Sequence, residues 1–260
     1  MRMFGWRRKD KASPRTPIGE RAYAIGDIHG RIDLLDRLLG AIEADLRGRP
    51  PCKTMLVFLG DLIDRGPNSS GVVERLRTLR MDGVVTHFLA GNHEEVLLRL
   101  LEGERGLLAN WLTFGGAECL SSYGLDPAEL AGCDESSALD RIKQAIPQAH
   151  AAFIASFADT LSFGDYLFVH AGIRPGVDLS LQAEADLRWI RSPFLEDKTD
   201  HGRVIVHGHT ICDAVEWRSN RIGIDTGAYR SGVLTALGLE GEEHWLLDTA
   251  AETGTETDPR

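Results

Sequence analysis

Apolar, β-rich runs recur along the chain, and a short polar cluster follows each one. Ala22–Ile25 leads into Gly26-Asp27-Ile28-His29-Gly30, and Met55–Leu59 into Gly60-Asp61-Leu62-Ile63-Asp64-Arg65-Gly66. Val84–Ala90, interrupted by Thr86 and His87, leads into Gly91-Asn92-His93-Glu94. Tyr166–Val169 precedes His170-Ala171-Gly172, and Val204–Val206 precedes His207-Gly208-His209-Thr210. Each run reads as a strand and each cluster as the loop leaving it.

Helical periodicity fills the gaps. Leu34, Leu35, Leu38, Leu39, Ile42 and Leu46 predict a helix of about four turns after Gly30, ended by Gly48-Arg49-Pro50-Pro51. Pro67-Asn68-Ser69-Ser70 starts a second helix carrying Val72, Val73, Leu76 and Leu79. This alternation predicts an α/β fold with functional groups at strand C-terminal ends.

Between Glu94 and Tyr166 the pattern turns helical, with helices expected at Val96–Leu101, Gly106–Phe114, Ser136–Ile146 and His150–Phe157 and no strand among them. We read about 95–165 as a helical insertion, placed either to roof the site and choose substrates or only to pack against the core. β-rich runs return at Arg221–Asp225, Val233–Leu239 and His244–Leu247. No repeat or second domain boundary is evident.

Composition narrows the class. The 260 residues suffice for one large domain, and a hydrophobic content of 43% is ordinary for a globular protein. The net charge of −10 argues against general nucleic-acid binding, although not against phosphate substrates. Residues 1–20 carry six basic and two acidic side chains, leaving −14 on the remainder. That leader has no apolar core of a secretory signal and reads, like the tail 249–260, as disordered. Cys52, Cys119, Cys133 and Cys212 form no CxxC pair and read as reduced thiols of a cytoplasmic protein. No apolar run approaches the ~18 residues of a membrane span, so no stable membrane insertion is expected.

Carboxylates, imidazoles and a carboxamide on glycine-rich loops are the donors a two-metal phosphoesterase requires. The mixed oxygen and nitrogen set suits Mn²⁺, Fe or Zn²⁺ rather than Mg²⁺ or Ca²⁺. Asp27 and His29 can converge on one ion. Asp61 can bridge two, and Asn92, His170 and His209 can complete the second. Two ions sharing a water would supply a hydroxide nucleophile without a covalent phosphoenzyme. His93, adjacent to Asn92, is left to protonate the leaving oxygen, and Arg65 to grip the phosphoryl oxygens. His207 competes with His209 for the last ligand position; spacing alone does not decide between them.

These motifs, GDIHG, GDLIDRG, GNHE and two later histidines, resemble those of the phosphoprotein phosphatase family of metallophosphoesterases over roughly Ala22 to Leu239. Within it the chain is similar to the bacterial and phage branch, which holds the lambda phage protein phosphatase and the symmetrical diadenosine tetraphosphatases. Ala90 stands where eukaryotic members carry arginine, and their SAPNYC-type segment is missing. Asn110-Trp111-Leu112-Thr113-Phe114-Gly115-Gly116 and Ser121-Ser122-Tyr123-Gly124 resemble stretches common in that branch.

The resemblance implies a calcineurin-like β-sandwich flanked by helices, spanning 21–248. It implies one metal on Asp27, His29 and Asp61 and another on Asp61, Asn92, His170 and His209. Mn²⁺ is the expected metal. It also implies that Asp64 orients His93, and that a second phosphate-binding arginine follows His170. The branch's Trp-x-Arg arrangement favours Arg191 over Arg188, Arg174 and Arg230. The leading expectation is a serine/threonine protein phosphatase acting on phosphoproteins. The alternative is a symmetrical dinucleoside tetraphosphatase on the same dinuclear site; a catalytically dead scaffold would need a lost ligand.

Overall fold

The computed structural model describes residues 13–130 and 132–250. Ten strands form two five-stranded sheets. The first has the order β10-β9-β1-β2-β3, from β1 (Glu20–Ile25), β2 (Lys53–Phe58), β3 (Val84–Phe88), β9 (Thr235–Glu240) and β10 (Glu243–Asp248). The second has the order β4-β5-β6-β8-β7, from β4 (Thr160–Phe163), β5 (Tyr166–Val169), β6 (Val204–His207), β7 (Glu216–Trp217) and β8 (Arg221–Gly223).

Side-chain alternation builds the layers. Ala22 and Ala24 of β1 face the second sheet and share a core with Val57, Phe168, Val206, Ile222 and Leu237. Tyr23 and Ile25 face the other way, onto helices. There α1 (Ile32–Gly48), α2 (Ser69–Arg77) and α3 (Asn92–Leu101) supply Leu35, Leu38, Val72, Val73 and Leu97. Leu167, Val169 and Ile205 cover the outer face of the second sheet with Leu187, Ile190 and Phe194. Small residues in β1 let the two sheets approach, and large ones on its reverse fill the helical layer.

Strands β1, β2 and β3 run parallel, as do β5, β6 and β8. Their C-terminal ends therefore open at one rim, where all five polar clusters emerge. The parallel core needs crossover helices, and α1 and α2 provide them.

The helical insertion continues through α4 (Leu108–Trp111), a π-turn at Leu112–Gly116, α5 (Ala117–Ser122), α6 (Glu135–Ala145) and α7 (Gln148–Ile154). The helix expected over Gly106–Phe114 breaks at this π-turn, where Gly115 has φ of 108°. The segment also ends in a strand that we did not expect. β4 pairs antiparallel with β5 across the Gly164-Asp165 turn. As a four-residue edge strand with two half-buried positions and an exposed serine, it lacks the apolar run that marks the central strands. The short β7 and the helix α8 (Glu184–Trp189) were likewise not foreseen.

Of the two segments read as disordered, residues 1–12 and 251–260 lie outside the described residues. Within the leader, the Thr16 amide donates to Gly241 O at 2.9 Å, and the Arg15 amide to Asp165. Thr249 donates its amide to Leu234 O. No described helix is long and apolar enough to cross a membrane.

Candidate metal centre and adjoining cleft

The loops at the rim are backbone-strained in a telling way. Among the described residues, the non-glycines with positive φ are His29, Asp61, Asp64, Arg65 and His209, at 46° to 70°. All five belong to the polar clusters. Left-handed backbone disfavours L-residues and persists only where the surroundings enforce it.

It also distinguishes His207, the last residue of β6, from His209. At His209 the chain leaves the extended conformation, and that ring joins Asp61 and His170 within metal-ligating distance. The His207 ring instead packs on Phe194, with Nδ1 3.1 Å from Gly208 O.

Two donor groups converge, His29–Asp61–His93 and Asp61–His170–His209, and all five residues are buried. Asp61 is common to both. His29 Nδ1 lies 2.8 Å from Ile63 O, and His170 Nδ1 lies 2.8 Å from Leu59 O. Only a donor satisfies a carbonyl, so each ring carries its proton on Nδ1 and turns the Nε2 lone pair inward. His170 Nε2 then faces Asn92 Oδ1 at 3.1 Å and Asp61 Oδ1 at 3.5 Å. His209 turns its Nδ1 to the same point, 3.2 Å from His170 Nε2. Electron pairs converging in a buried site fit a bound cation, and this donor set fits divalent metal ions.

Asp27 sits beside these groups, its carboxylate accepting the His209 amide at 3.1 and 3.2 Å. Burial lowers the His29 pKa to about 3 and the His209 pKa to about 2, so both stay neutral, each with one ring nitrogen able to offer a lone pair.

His93 behaves differently. Burial opposes its charge, but Asp61 and Asp64 outweigh burial and raise its pKa above the ordinary imidazole value. Its Nδ1 lies 2.6 Å from Asp64 Oδ2. Arg65 bridges the two groups, with Nη1 3.0 Å from His29 Nε2 and Nη2 3.1 Å from His93 Nε2.

Among the candidate second arginines, Arg188 is committed to Asp159 at 2.6 and 2.8 Å. Arg174 forks onto Asp186. Arg191 makes no side-chain hydrogen bond or ion pair among the described residues, and it lines the same cleft as Asn92, His93 and His209. Arg230 does not line it.

This cleft encloses about 300 Å³ beside the donor cluster. Val96, Leu107, Trp111, Phe114 and Trp189 give it apolar walls, and Arg65 and Arg191 add positive charge, while Arg99 is paired with Glu104 and Glu95. Phe114 is 57% and Trp189 40% exposed.

Sequence reasoning missed four residues here. Glu94 is fully buried and accepts the amides of Asp61, Leu62 and Gly91 at 2.8 to 3.0 Å. Asp225 is buried beside Asp27, and its Oδ1 accepts the Gly227 amide. Tyr229 packs edge-on to His29 and under the Arg65 guanidinium. Trp111 donates its indole N–H to Asp64 at 2.8 Å. Asp225 carried a readable signal, because Asp225-Thr226-Gly227 follows a β-rich run as the other clusters do.

Comparison with known proteins agrees with this geometry. A bis(5'-nucleosyl)-tetraphosphatase PrpE, asymmetrical, from Anoxybacillus flavithermus is 30% identical over 237 residues, covering 82% of this chain and 88% of its own. A symmetrical bis(5'-nucleosyl)-tetraphosphatase from Methylococcus capsulatus is 35% identical over 153 residues, 59% of this chain and 43% of its own. A crystal structure of a protein provisionally assigned as a diadenosine tetraphosphatase superposes with a TM-score of 0.63 at 21% identity. It covers 91% of this chain and 98% of its own, a likeness of fold. The calcineurin-like phosphoesterase family model matches residues 21–224. The two packed sheets, the buried imidazole–carboxylate cluster and this match establish that the chain belongs to the calcineurin-like phosphoesterase family.

Proposed function

We propose that the protein hydrolyses dinucleoside tetraphosphates such as diadenosine tetraphosphate, rather than phosphoproteins. The observation that carries this reading is the aromatic cleft opening directly on the donor cluster. Partly exposed Phe114 and Trp189 offer flat apolar surface next to Arg65 and Arg191. A nucleobase stacks on such faces for roughly 1–3 kcal/mol, while its phosphates reach the arginines. The names of the two relatives support the same substrate class. The protein phosphatase reading rests on motifs shared by the whole family and gains no separate support.

In this reading Asp27, His29 and Asp61 hold one divalent ion, and Asp61, Asn92, His170 and His209 hold the other. Such ions, for which Mn²⁺, Fe and Zn²⁺ all suit the donor set, would lower the pKa of water and neutralise phosphoryl oxygens. Arg65 leaves His29 and His93 to bind the phosphoryl group bidentately, and Arg191, lining the same cleft, binds it as well. Water adds to one phosphorus, a P–O bond of the bridging anhydride breaks, and His93 Nε2 delivers a proton to the departing phosphate oxygen. Asp64 holds the His93 ring through Nδ1. A phosphate leaves more readily than an alkoxide, so this proton matters less here than it would for phosphoserine. Four free thiols and a nucleotide substrate fit a cytoplasmic enzyme.

The test is chromatography of products after incubating purified protein with Mn²⁺ and diadenosine tetraphosphate. ATP plus AMP identifies asymmetrical cleavage, and two ADP symmetrical cleavage. Intact substrate under these conditions contradicts the proposal.

A further inference from the structure

We infer that Trp111 is a positioning residue for proton transfer, and that residues 111–116 clamp Asp64 and Arg65 from the cleft side. The inference rests on the reading of His93 and Asp64 as the proton-donating pair. It assigns a role to the Asn110–Gly116 stretch, which the metal ligands and arginines leave unexplained.

One carboxylate oxygen carries the argument. Asp64 Oδ2 lies 2.6 Å from His93 Nδ1 and 2.8 Å from Trp111 Nε1. Asp64 has no exposed surface, and its Oδ1 has no hydrogen-bond partner. The indole N–H is donor only, so its direction is unambiguous. It fixes the carboxylate's rotation about χ2, and that rotation aims the His93 ring. Without it, a buried carboxylate with one free oxygen could turn the other oxygen to the imidazole.

The same turn grips Arg65. Gly115 O accepts the Arg65 amide at 3.1 Å. A Cβ on Gly115, at φ of 108°, would collide with the Arg65 backbone. A Cβ on Gly116 would strike the Trp111 ring, which is only 3% exposed. The two glycines therefore let the indole and the Arg65 backbone sit close. A second strap holds the first turn of α2, where the Ser70 amide donates to Ser122 Oγ at 3.0 Å and Ser70 Oγ to Ser122 O. Since Trp111 and Phe114 also line the cleft, the wall that meets substrate is joined by one hydrogen bond to the acid's orienting carboxylate.

Trp111→Phe keeps the ring and removes the N–H. On the Mn²⁺-loaded enzyme, its kcat should fall by on the order of tenfold with phenyl phosphate, whose phenolate is basic. With p-nitrophenyl phosphate the fall should be less than about threefold, since a network contact is typically worth one such factor. In a His93→Ala background Trp111→Phe should cost nothing further, whereas a general packing defect would lower both substrates and add to His93→Ala. Equal losses on both substrates, or additivity, overturn the inference.

If His93→Ala and Asp64→Asn themselves show no leaving-group dependence, the proton-donor reading has failed instead. A readout independent of turnover is the ¹⁵N-indole spectrum. The Trp111 N–H should exchange slowly and shift on Asp64→Asn; rapid exchange in the wild type, or no shift, also overturns the inference.

Discussion

His170 Nε2 and His209 Nδ1 lie 3.2 Å apart, two imidazoles from the ends of different strands brought together edge-on in a buried site. Because His170 spends its Nδ1 proton on Leu59 O, its inward nitrogen is a lone pair. It meets the Asn92 carbonyl oxygen and the Asp61 carboxylate as well. A cation between them removes the repulsion that such convergence otherwise carries.

Asp61 belongs to both donor groups, so Asp61→Asn should disturb both ions. We expect turnover to fall below detection and bound Mn²⁺ to drop below two per chain. Elemental analysis beside an activity assay reads both. Chelation of the wild type should abolish activity, and Mn²⁺ should restore it.

Arg65→Ala and Arg191→Ala should each lower kcat/KM by on the order of 10²-fold with metal content intact, since charge-assisted contacts to the reacting phosphoryl group are lost. Arg188→Ala should behave as a stability variant. It leaves Asp159 without its cation, while Glu95 keeps Arg99, and costs about 1 kcal/mol in denaturant unfolding with little change in kcat/KM.

That contrast marks the limit of what the sequence discloses. The six proposed ligands are legible because each stands in a glycine-bracketed cluster directly after a β-rich run. Arg188 and Arg191 are three positions apart and chemically equal in the sequence. Only the fold shows that Asp159, 29 positions upstream, pairs with the first and leaves the second facing the cleft. His207 and His209 are told apart by the left-handed backbone at His209, which no spacing rule foretells. β4 was missed because edge strands need no continuous apolar run. Glu94 was visible inside GNHE, but its three amide partners come from two loops that meet only in three dimensions.

Glu94→Gln tests that anchoring. The Asp61 and Gly91 amides share Oε2 while the Leu62 amide uses Oε1, so a carboxamide must turn an NH₂ toward at least one N–H. A buried unsatisfied pair costs about 1–3 kcal/mol. Urea unfolding should register that loss, and Mn²⁺ affinity should fall with it because the Asp61 backbone is released.

Trp189→Ala should raise KM for diadenosine tetraphosphate about five- to tenfold, as expected for one lost stacking face, and leave p-nitrophenyl phosphate nearly unchanged. Parallel steady-state kinetics on the two substrates provide the check. Equal effects on both would place Trp189 outside base recognition.

The most direct measurement compares kcat/KM of the Mn²⁺-loaded enzyme for diadenosine tetraphosphate and for a phosphothreonine peptide under identical conditions. A dinucleotide whose base stacks in the aromatic cleft while its phosphates meet Arg65 and Arg191 should be preferred by at least about 10²-fold, the worth of two to three kcal/mol of stacking and charge contacts. A peptide hydrolysed as well as the dinucleotide, or better, would contradict the proposed function.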